Sequence, residues 1–353
     1  MRRLIKKICN NIREDYIFYK RTVAFKKRYK NLPISLFNNP LEKNTIQQYI
    51  DQWSVFGKKV EIDTFLLSYN LSGKVDFNIV PENIFAVLIE KKLNPFKEAS
   101  FYEVKNIYEK WFDDKIFPYS YIHKMNGIYY DHDFKFIDDP KTFISNMDVS
   151  YPLILKSSRD TFGGKDVIKL KSSSELLSAI EKFDFFTCQE LINQNILLNE
   201  INSSSINTVR TCLYRTKNGT FDVINNSIRF GVNGSLDNET SGGIVCNIND
   251  DGKLNDYAVD KHAQKFYKHP DSDLQFNDIV MPYFSELNDL AISIANQVFM
   301  SNLVSLDMCL DSENRWRCIE VNMFGQTIRF AQYAGKGFFG QYTKDVINSA
   351  IDN

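Results

Sequence analysis

The chain has 353 residues, enough for two or three domains, and its 43% apolar and 14% aromatic residues can fill real cores. A formal net charge of −1 gives no overall nucleic-acid footprint, and without an apolar N-terminal core or a long apolar run we expect neither a secretion signal nor a membrane span. Cys9, Cys188, Cys212, Cys246, Cys309 and Cys318 form no close pair and no Cys/His ligand spacing, which points to reduced thiols in a cytoplasm and not to a disulfide or zinc framework.

Charge is unevenly placed. Residues 1–30 carry eleven Lys or Arg against Glu14 and Asp15, leaving the rest of the chain at about −10. The same stretch spaces Leu4, Ile5, Ile8, Ile12, Ile17, Val23 and Phe25 among those bases, which predicts a helix. Such a helix suits anionic lipid or a membrane-bound partner, but a surface helix packing its apolar stripe on the next domain accounts for it equally. Pro33 and Pro40 break the chain, and residues 41–112 read as mixed, mostly helical structure. The better helices there are 83–92 and 100–113, the second with Ser100 as N-cap and Glu103 three residues on. No chemistry is legible in this region.

Residues 115–131 contain a hairpin, 121–124 with 128–130, turning at Asn126-Gly127. Lys115 precedes it and by spacing alone is a surface charge. A strand at 153–156 ends in Lys156, and a polar loop with Gly163 and Gly164 follows. Next come a strand at 166–170, a helix at 175–182 capped by Ser173 or Ser174, and a strand at 185–192 ending Gln189, Glu190, Leu191, Ile192. Backbone N–H groups of a Gly/Ser loop can fold over phosphate, and a strand-borne lysine can reach the same anion. A plain hairpin turn uses two glycines just as readily.

A long strand at 200–214 carries Asn207 and Arg210, and another at 221–230 carries Arg229. Cations inside strands need carboxylates or await an anion. The loop 231–243 is polar and glycine-rich, as expected of a mobile active-site loop. A helix at 286–300 leads into two strands, 303–310 and 315–321, joined by a polar turn at 311–314. Alternation puts Glu320 and Asn322 on one face, and hairpin pairing brings Asp307 beside them. Two carboxylates and an amide are hard oxygen ligands suited to Mg²⁺ that also holds phosphate, although two acids at sheet edges can also be merely solvated. Past Gln326 and Arg329, a helix from about Gln341 closes the chain. His123, His132, His262 and His269 show no mutual spacing, and no nucleophile triad is visible.

This order resembles the ATP-grasp superfamily: a Lys-ended strand, a GG loop, a strand–helix–strand ending QELI, Arg-bearing strands, then Asp and Glu-x-Asn. Asp307 to Glu320 is thirteen residues and Glu320 to Asn322 is two, a spacing similar to that of D-alanine–D-alanine ligase-like enzymes. SINTVRT (205–211), IRFG (228–231), DN…SGGI (237–244) and LDM…IEVN (306–322) look more particularly like the ATP-grasp family associated with sugar transfer. The resemblance covers roughly 110–350.

It implies an α+β, ATP-grasp fold: two α+β subdomains gripping ATP between them, at 111–200 and 201–353, behind a mostly helical N-terminal region, 1–110. It further implies that Lys156 and Lys115 contact the nucleotide phosphates, that Gly163 and Gly164 cover them, and that Gln189, Glu190, Leu191 and Ile192 form the adenine hinge. Glu200 or Asn193 would touch the ribose; the family's acidic ribose contact has no clear match in NQNILLNE. Asp307, Glu320 and Asn322 would hold Mg²⁺, with Mn²⁺ as an alternative, and Arg210 and Arg229 would stabilise the transferring phosphoryl group. The implied activity is an ATP-dependent carboxylate–amine ligase acting through an acyl-phosphate, joining an amino acid or amine to a sugar acid in capsule or O-antigen synthesis. A kinase on a sugar or lipid-linked hydroxyl and a non-catalytic nucleotide-binding accessory subunit are the alternatives. The expected partners are small-molecule carboxylate and amine substrates, not nucleic acid, with residues 1–30 contacting a membrane or a glycosyltransferase. A cytoplasmic protein, peripheral at the inner membrane surface, fits that picture, and many relatives form dimers.

Overall fold

The computed structural model describes residues 2–112, 115–159, 167–238 and 241–351, with a helical N-terminal third followed by two antiparallel sheets. The first helix runs Arg2–Tyr29 and turns Phe18 and Tyr29 inward. Helices Lys43–Ser54 and Asp63–Ser72 follow, burying Tyr49, Trp53, Phe65 and Leu67. The expected helix at 83–92 is present as Glu82–Ile84, a π turn Phe85–Ile89 and Glu90–Leu93. Among the described residues no helix is long and apolar enough to cross a membrane.

The expected helix at 100–113 is instead broken. Turns Lys97–Glu103 and Lys105–Ile107 flank Val104, which is extended, and only Tyr108–Trp111 is α-helical. Ser100 lies exposed inside the first turn and caps nothing. Glu103 does not reach back to a cap either; its carboxylate accepts from Met323 N and Phe324 N. A distant backbone has displaced the local capping box.

The first sheet contains β1 (Ser120–Met125), β2 (Ile128–Asp131), β3 (Leu153–Ser157), β4 (Val167–Leu170) and β5 (Phe186–Glu190), in the order β2-β1-β5-β3-β4. The β1–β2 hairpin turns at Asn126 (φ 53°) and Gly127 (φ 80°), the left-handed pair a two-residue hairpin demands. Helix Ser173–Ala179 is capped by Ser172, one residue earlier than expected, because Glu175 N bonds its Oγ while the Glu175 carboxylate accepts from Lys171 N.

The second sheet contains β6 (Thr208–Arg215), β7 (Phe221–Phe230), β8 (Ile244–Ile248), β9 (Leu254–Val259), β10 (Lys265–Phe266), β11 (Leu303–Leu310) and β12 (Trp316–Asn322). Their order is β10-β9-β8-β7-β6-β11-β12. The strand expected from 200 starts only at Thr208. Glu200 lies on helix Ile196–Ile201, and the buried amides of Asn202 and Asn207 bond each other and nearby carbonyls in between. Helix Phe284–Ala295 packs Leu287, Ala291 and Ile294 on one face of this sheet, against Ile228, Phe230 and Leu306. The opposite face carries the polar side chains.

Asn94 ties the helical third to this sheet. Its Nδ2 donates to Leu303 O (2.8 Å) and Met323 O (2.6 Å), and its Oδ1 accepts from Asn302 N (3.1 Å) and Leu303 N (3.0 Å). Asn94→Ala removes this partner from Leu303 N and from the Leu303 and Met323 carbonyls, while Asn302 N keeps Leu93 O at 3.0 Å. It is expected to cost about 3 kcal/mol, read as a lower urea midpoint with an unchanged slope.

Candidate active site

Strand register builds the site. Asp307 on β11 stands opposite Arg210 on β6 and Glu320 on β12; Arg210 stands opposite Ser227 on β7, and Ser227 opposite Asn247 on β8. Directly opposed residues on neighbouring strands share a face, so Glu320, Asp307, Arg210, Ser227 and Asn247 form one row. The next row is Asn322, Ser305, Cys212 and Asn225. Between Asp307↔Glu320 and Met308↔Cys318, Ile319 is an extra residue. This bulge sends Cys318 to the apolar core while Glu320 stays beside Asp307.

Asp307 is buried and held bidentate by Arg210 (Nε–Oδ1 2.8 Å, Nη2–Oδ2 2.7 Å), with Arg229 Nη2 3.4 Å from Oδ1. Burial alone pushes this carboxyl up, but Arg210 and Arg229 outweigh it and hold it down at about 2. Burial likewise opposes the Arg210 charge, and Asp307 reverses the sign, so Arg210 stays protonated. Glu320 receives Lys105 Nζ at 2.9 Å. Lys156, at the end of β3, donates to the bulge carbonyl of Ile319 at 3.4 Å. Burial, with the Lys105 charge added, brings Lys156 down to about 8. Asp237, from the loop after β7, bonds the Thr208 hydroxyl; burial raises it to about 6 against the pull of Arg229. Four cationic side chains therefore meet three carboxyls.

Lys105 and Asp237 are the residues that sequence reasoning missed. Lys105 sits in the break after Glu103, its backbone N–H on Ser158 O (3.3 Å) and its ammonium on Glu320, so it bridges the two sheets. The signal was faint: a lysine between Val104 and Asn106 in a stretch, Phe101 to Tyr108, that also holds Glu103. Lys115, ten residues on, is exposed in the turn before β1. Gly163 and Gly164 lie outside the described residues. Gln189 is buried and donates Nε2 to Pro118 O (3.1 Å) and Ser120 Oγ (3.0 Å). Glu190 Oε1 accepts from Tyr119 N and Arg317 Nη2, both at 3.0 Å. Leu191 and Ile192 are half-buried in the link that leaves β5. Asn193 O accepts from Ser312 N (2.7 Å), and Glu200 is exposed.

Among the described residues no three His, Cys, Asp or Glu side chains gather into a metal site. A cation would therefore rest on the opposed Asp307 and Glu320, the Asn322 amide and oxygens of its ligand. Asn322 Nδ2 is buried without a partner, and an amide turned over presents oxygen at that position. The donor set is hard oxygen and fits Mg²⁺.

Two half-buried glutamates from the helical third hold the segment after Asn322. Glu103 Oε1 accepts from Met323 N (2.8 Å) and Phe324 N (3.1 Å), and Glu90 Oε1 from Gln326 N (2.9 Å). Burial raises both carboxyls, Glu90 to about 7.

Two antiparallel sheets joined by Lys105 and Lys156 beside the Asp307–Glu320 pair fit the fold expected of an ATP-grasp protein. Residues 156–346, more than half of the chain, match the family described as sugar-transfer associated ATP-grasp, and the chain belongs to it. Solved structures similar to it include a carboxyaminoimidazole ribonucleotide synthase from Aspergillus clavatus complexed with ATP (10% identity, 70% of this chain, 52% of that one, TM-score 0.41). Others are a biotin carboxylase from Campylobacter jejuni (13%, 72% and 48%, TM-score 0.43) and the D-alanine–D-alanine ligase from Coxiella burnetii (11%, 71% and 57%, TM-score 0.40). The chain spans about half the length of the structures it matches. No curated protein sequence matches it.

Glu90 supplies a pH test of the clamp on residues 323–326. Its folded-state pKa is raised from 4.5 to about 7 by burial, against the backbone N–H groups of Gln326 and Gly325 and the charge of Arg21, with Glu103 adding to the rise. The carboxyl therefore opposes folding progressively from pH 4.5 to 7, and fully above. Glu90→Gln keeps an acceptor and removes the charge. It is expected to match the wild type near pH 4 and to gain about 2–3 kcal/mol on it by pH 8, measured by urea unfolding across that range.

Proposed function

We propose that this chain is an ATP-dependent carboxylate–amine ligase acting through an acyl-phosphate. The observation that carries the reading is the convergence of Lys105, Lys156, Arg210 and Arg229 on the opposed Asp307 and Glu320. A carboxylate and an amine do not condense in water without a leaving group on the acyl carbon. Transfer of the γ-phosphoryl group supplies one, and the amine then displaces it. Charge spreads over the phosphoryl oxygens during transfer, so positioned cations are what the protein must provide.

In this reading Lys105 and Lys156 hold the phosphates and Gly163 and Gly164 cover them, while Lys115 stays a surface charge. Glu190, Leu191 and Ile192 read the adenine edge, with Gln189 fixing the strand beneath and Asn193 or Glu200 at the ribose. Mg²⁺ held by Asp307, Glu320 and Asn322, or Mn²⁺ in its place, would neutralise charge building on the transferred group. Arg210 and Arg229 keep Asp307 ionised and stand ready for the phosphoryl oxygens. We take the carboxylate to be a sugar acid and the setting to be polysaccharide assembly (capsule or O-antigen); the support for this is the family's description as sugar-transfer associated.

The test is γ-labelled ATP with Mg²⁺ and an extract of small metabolites. We expect label released as free phosphate only when the extract is present, and at least about 10³-fold less from Asp307→Asn/Glu320→Gln. Label retained on an organic product would make the protein a kinase. ATP bound without turnover would make it an accessory subunit.

We also assign the N-terminal helix to an anionic membrane surface on the cytoplasmic side. Glu14 and Asp15 are engaged by Lys58 and Lys91 of the scaffold, and Phe18 and Tyr29 are buried, yet Ile12, Tyr16, Tyr19 and Val23 remain exposed. Their spacing of four, three and four puts them on one stripe, and the same periodicity places Arg13, Lys20 and Lys27 beside it. The chain is expected to sediment with phosphatidylglycerol vesicles and not with phosphatidylcholine ones. Ile12→Ser/Tyr19→Ser should weaken this at least tenfold with turnover unchanged; equal sedimentation by that variant removes the membrane role.

A further inference from the structure

The polar row does not end at Arg210. It continues through Ser227 to Asn247, where a cleft of about 200 Å³ opens between β7, β8 and the segment 331–336. Its floor is Asn225 and Asn247, each about nine-tenths buried. Both amides donate Nδ2 to the same carbonyl, Ala331 O, at 3.1 Å. That shared bond fixes their orientation and occupies one N–H of each. Asn225 Oδ1 is left buried with no partner, a state that normally costs 1–3 kcal/mol unless a ligand or water supplies a hydrogen. The roof is held close: a Cβ on Gly335 (φ 80°) would stand 2.4 Å from Ser72 Oγ, so only glycine fits. Lys74 and Lys336 sit at the rim, the latter 2.6 Å from Asp250, which leaves the rim net positive.

We infer that this cleft seats the hydroxyl-bearing ring of the carboxylate substrate, with the acid group directed along the row toward Arg210. The inference rests on the ligase reading above. The orphaned Asn225 oxygen calls for an O–H or N–H donor, and the positive rim favours an anionic polyol over an ammonium. Asn247 lies two strand spacings from Arg210, about 10 Å, a gap that one sugar ring bridges with a hydrogen bond at each end. The cleft is smaller than the roughly 300–1,000 Å³ of pockets for drug-sized ligands, so it takes a single ring and not an oligosaccharide.

The probes are D-glucuronate and D-galacturonate, with glycine and L-alanine as the amine comparison, added to the full chain with Mg²⁺ and ADP. We expect a uronate to perturb the side-chain amide NMR signals of Asn225 and Asn247 and the amino acids to leave them alone. Asn225→Ala should raise the uronate Kd at least tenfold while ADP affinity stays unchanged; Asn247 still satisfies Ala331 O, so the fold is kept. Lys74→Glu, an exposed rim change, should weaken the uronate several-fold as an independent check. Equal uronate binding by both variants, perturbation by the amino acids instead, or ADP binding with no uronate response each overturns the cleft assignment alone. Failure to bind both ADP and uronate overturns the ligase reading beneath it.

Discussion

A carboxylate buried in the middle of a sheet is either paired with a cation or kept neutral. Asp307 is paired, and the second sheet is arranged around that fact. Arg210 has to lie directly opposite on β6, and Arg229 has to arrive from β7 close enough to share the charge. A slip of one residue in β6 would turn Arg210 into the apolar side that Val209 and Leu213 now occupy, leaving Asp307 alone. Breaking one side of a buried pair costs about 3–5 kcal/mol, a large part of a domain's net stability. Register is therefore specified electrostatically on one face and by helix Phe284–Ala295 on the other.

The same demand explains the two lysines. Glu320 is brought to Asp307 by the bulge at Ile319, and two neighbouring carboxylates repel unless cations stand close. Lys105 and Lys156 enter from the side of the first sheet, one on Glu320 and one on the bulge carbonyl. The joint between the sheets is thus made of charge and hydrogen bonds as well as apolar packing. The helical third backs it, since Asn94, Glu90 and Glu103 all fasten the ends of β11 and β12.

Legibility followed the range of the interactions. The β11–β12 hairpin could be read because alternation and a polar turn are local, and they place Asp307, Glu320 and Asn322 without further knowledge. The β1–β2 turn was equally plain from Asn126-Gly127. Lys105 was not, because its partner Glu320 is 215 residues away and its own neighbours look like a capped helix. The strand expected over 200–214 overran for the opposite reason. Ile201 and Ile206 suit a strand, but the buried amides of Asn202 and Asn207 bond the backbone locally, and the strand starts only at Thr208. No strand was foreseen between the loop at 231–243 and the helix near 286. There β8 is buried at every position, so it shows no alternation to read.

The face so built is graded. Nearest β12 it carries full charges in opposed pairs, Glu320 with Lys105 and Asp307 with Arg210. Further along, past Arg229 near the end of β7, it carries hydroxyls and amides: Ser227, Asn225 and Asn247. Charge needs charge close by, so it is confined to the end where four cations can gather, and a lone carboxylate or ammonium on β8 would have had no such company. Amides have no such need, and two of them can share one carbonyl and still leave an acceptor unspent. A surface that changes from ionic to neutral-polar along one row suits a ligand that is itself ionic at one end and hydroxylated at the other. That matching, and not the size of any single interaction, is what sets the direction in which a substrate would lie.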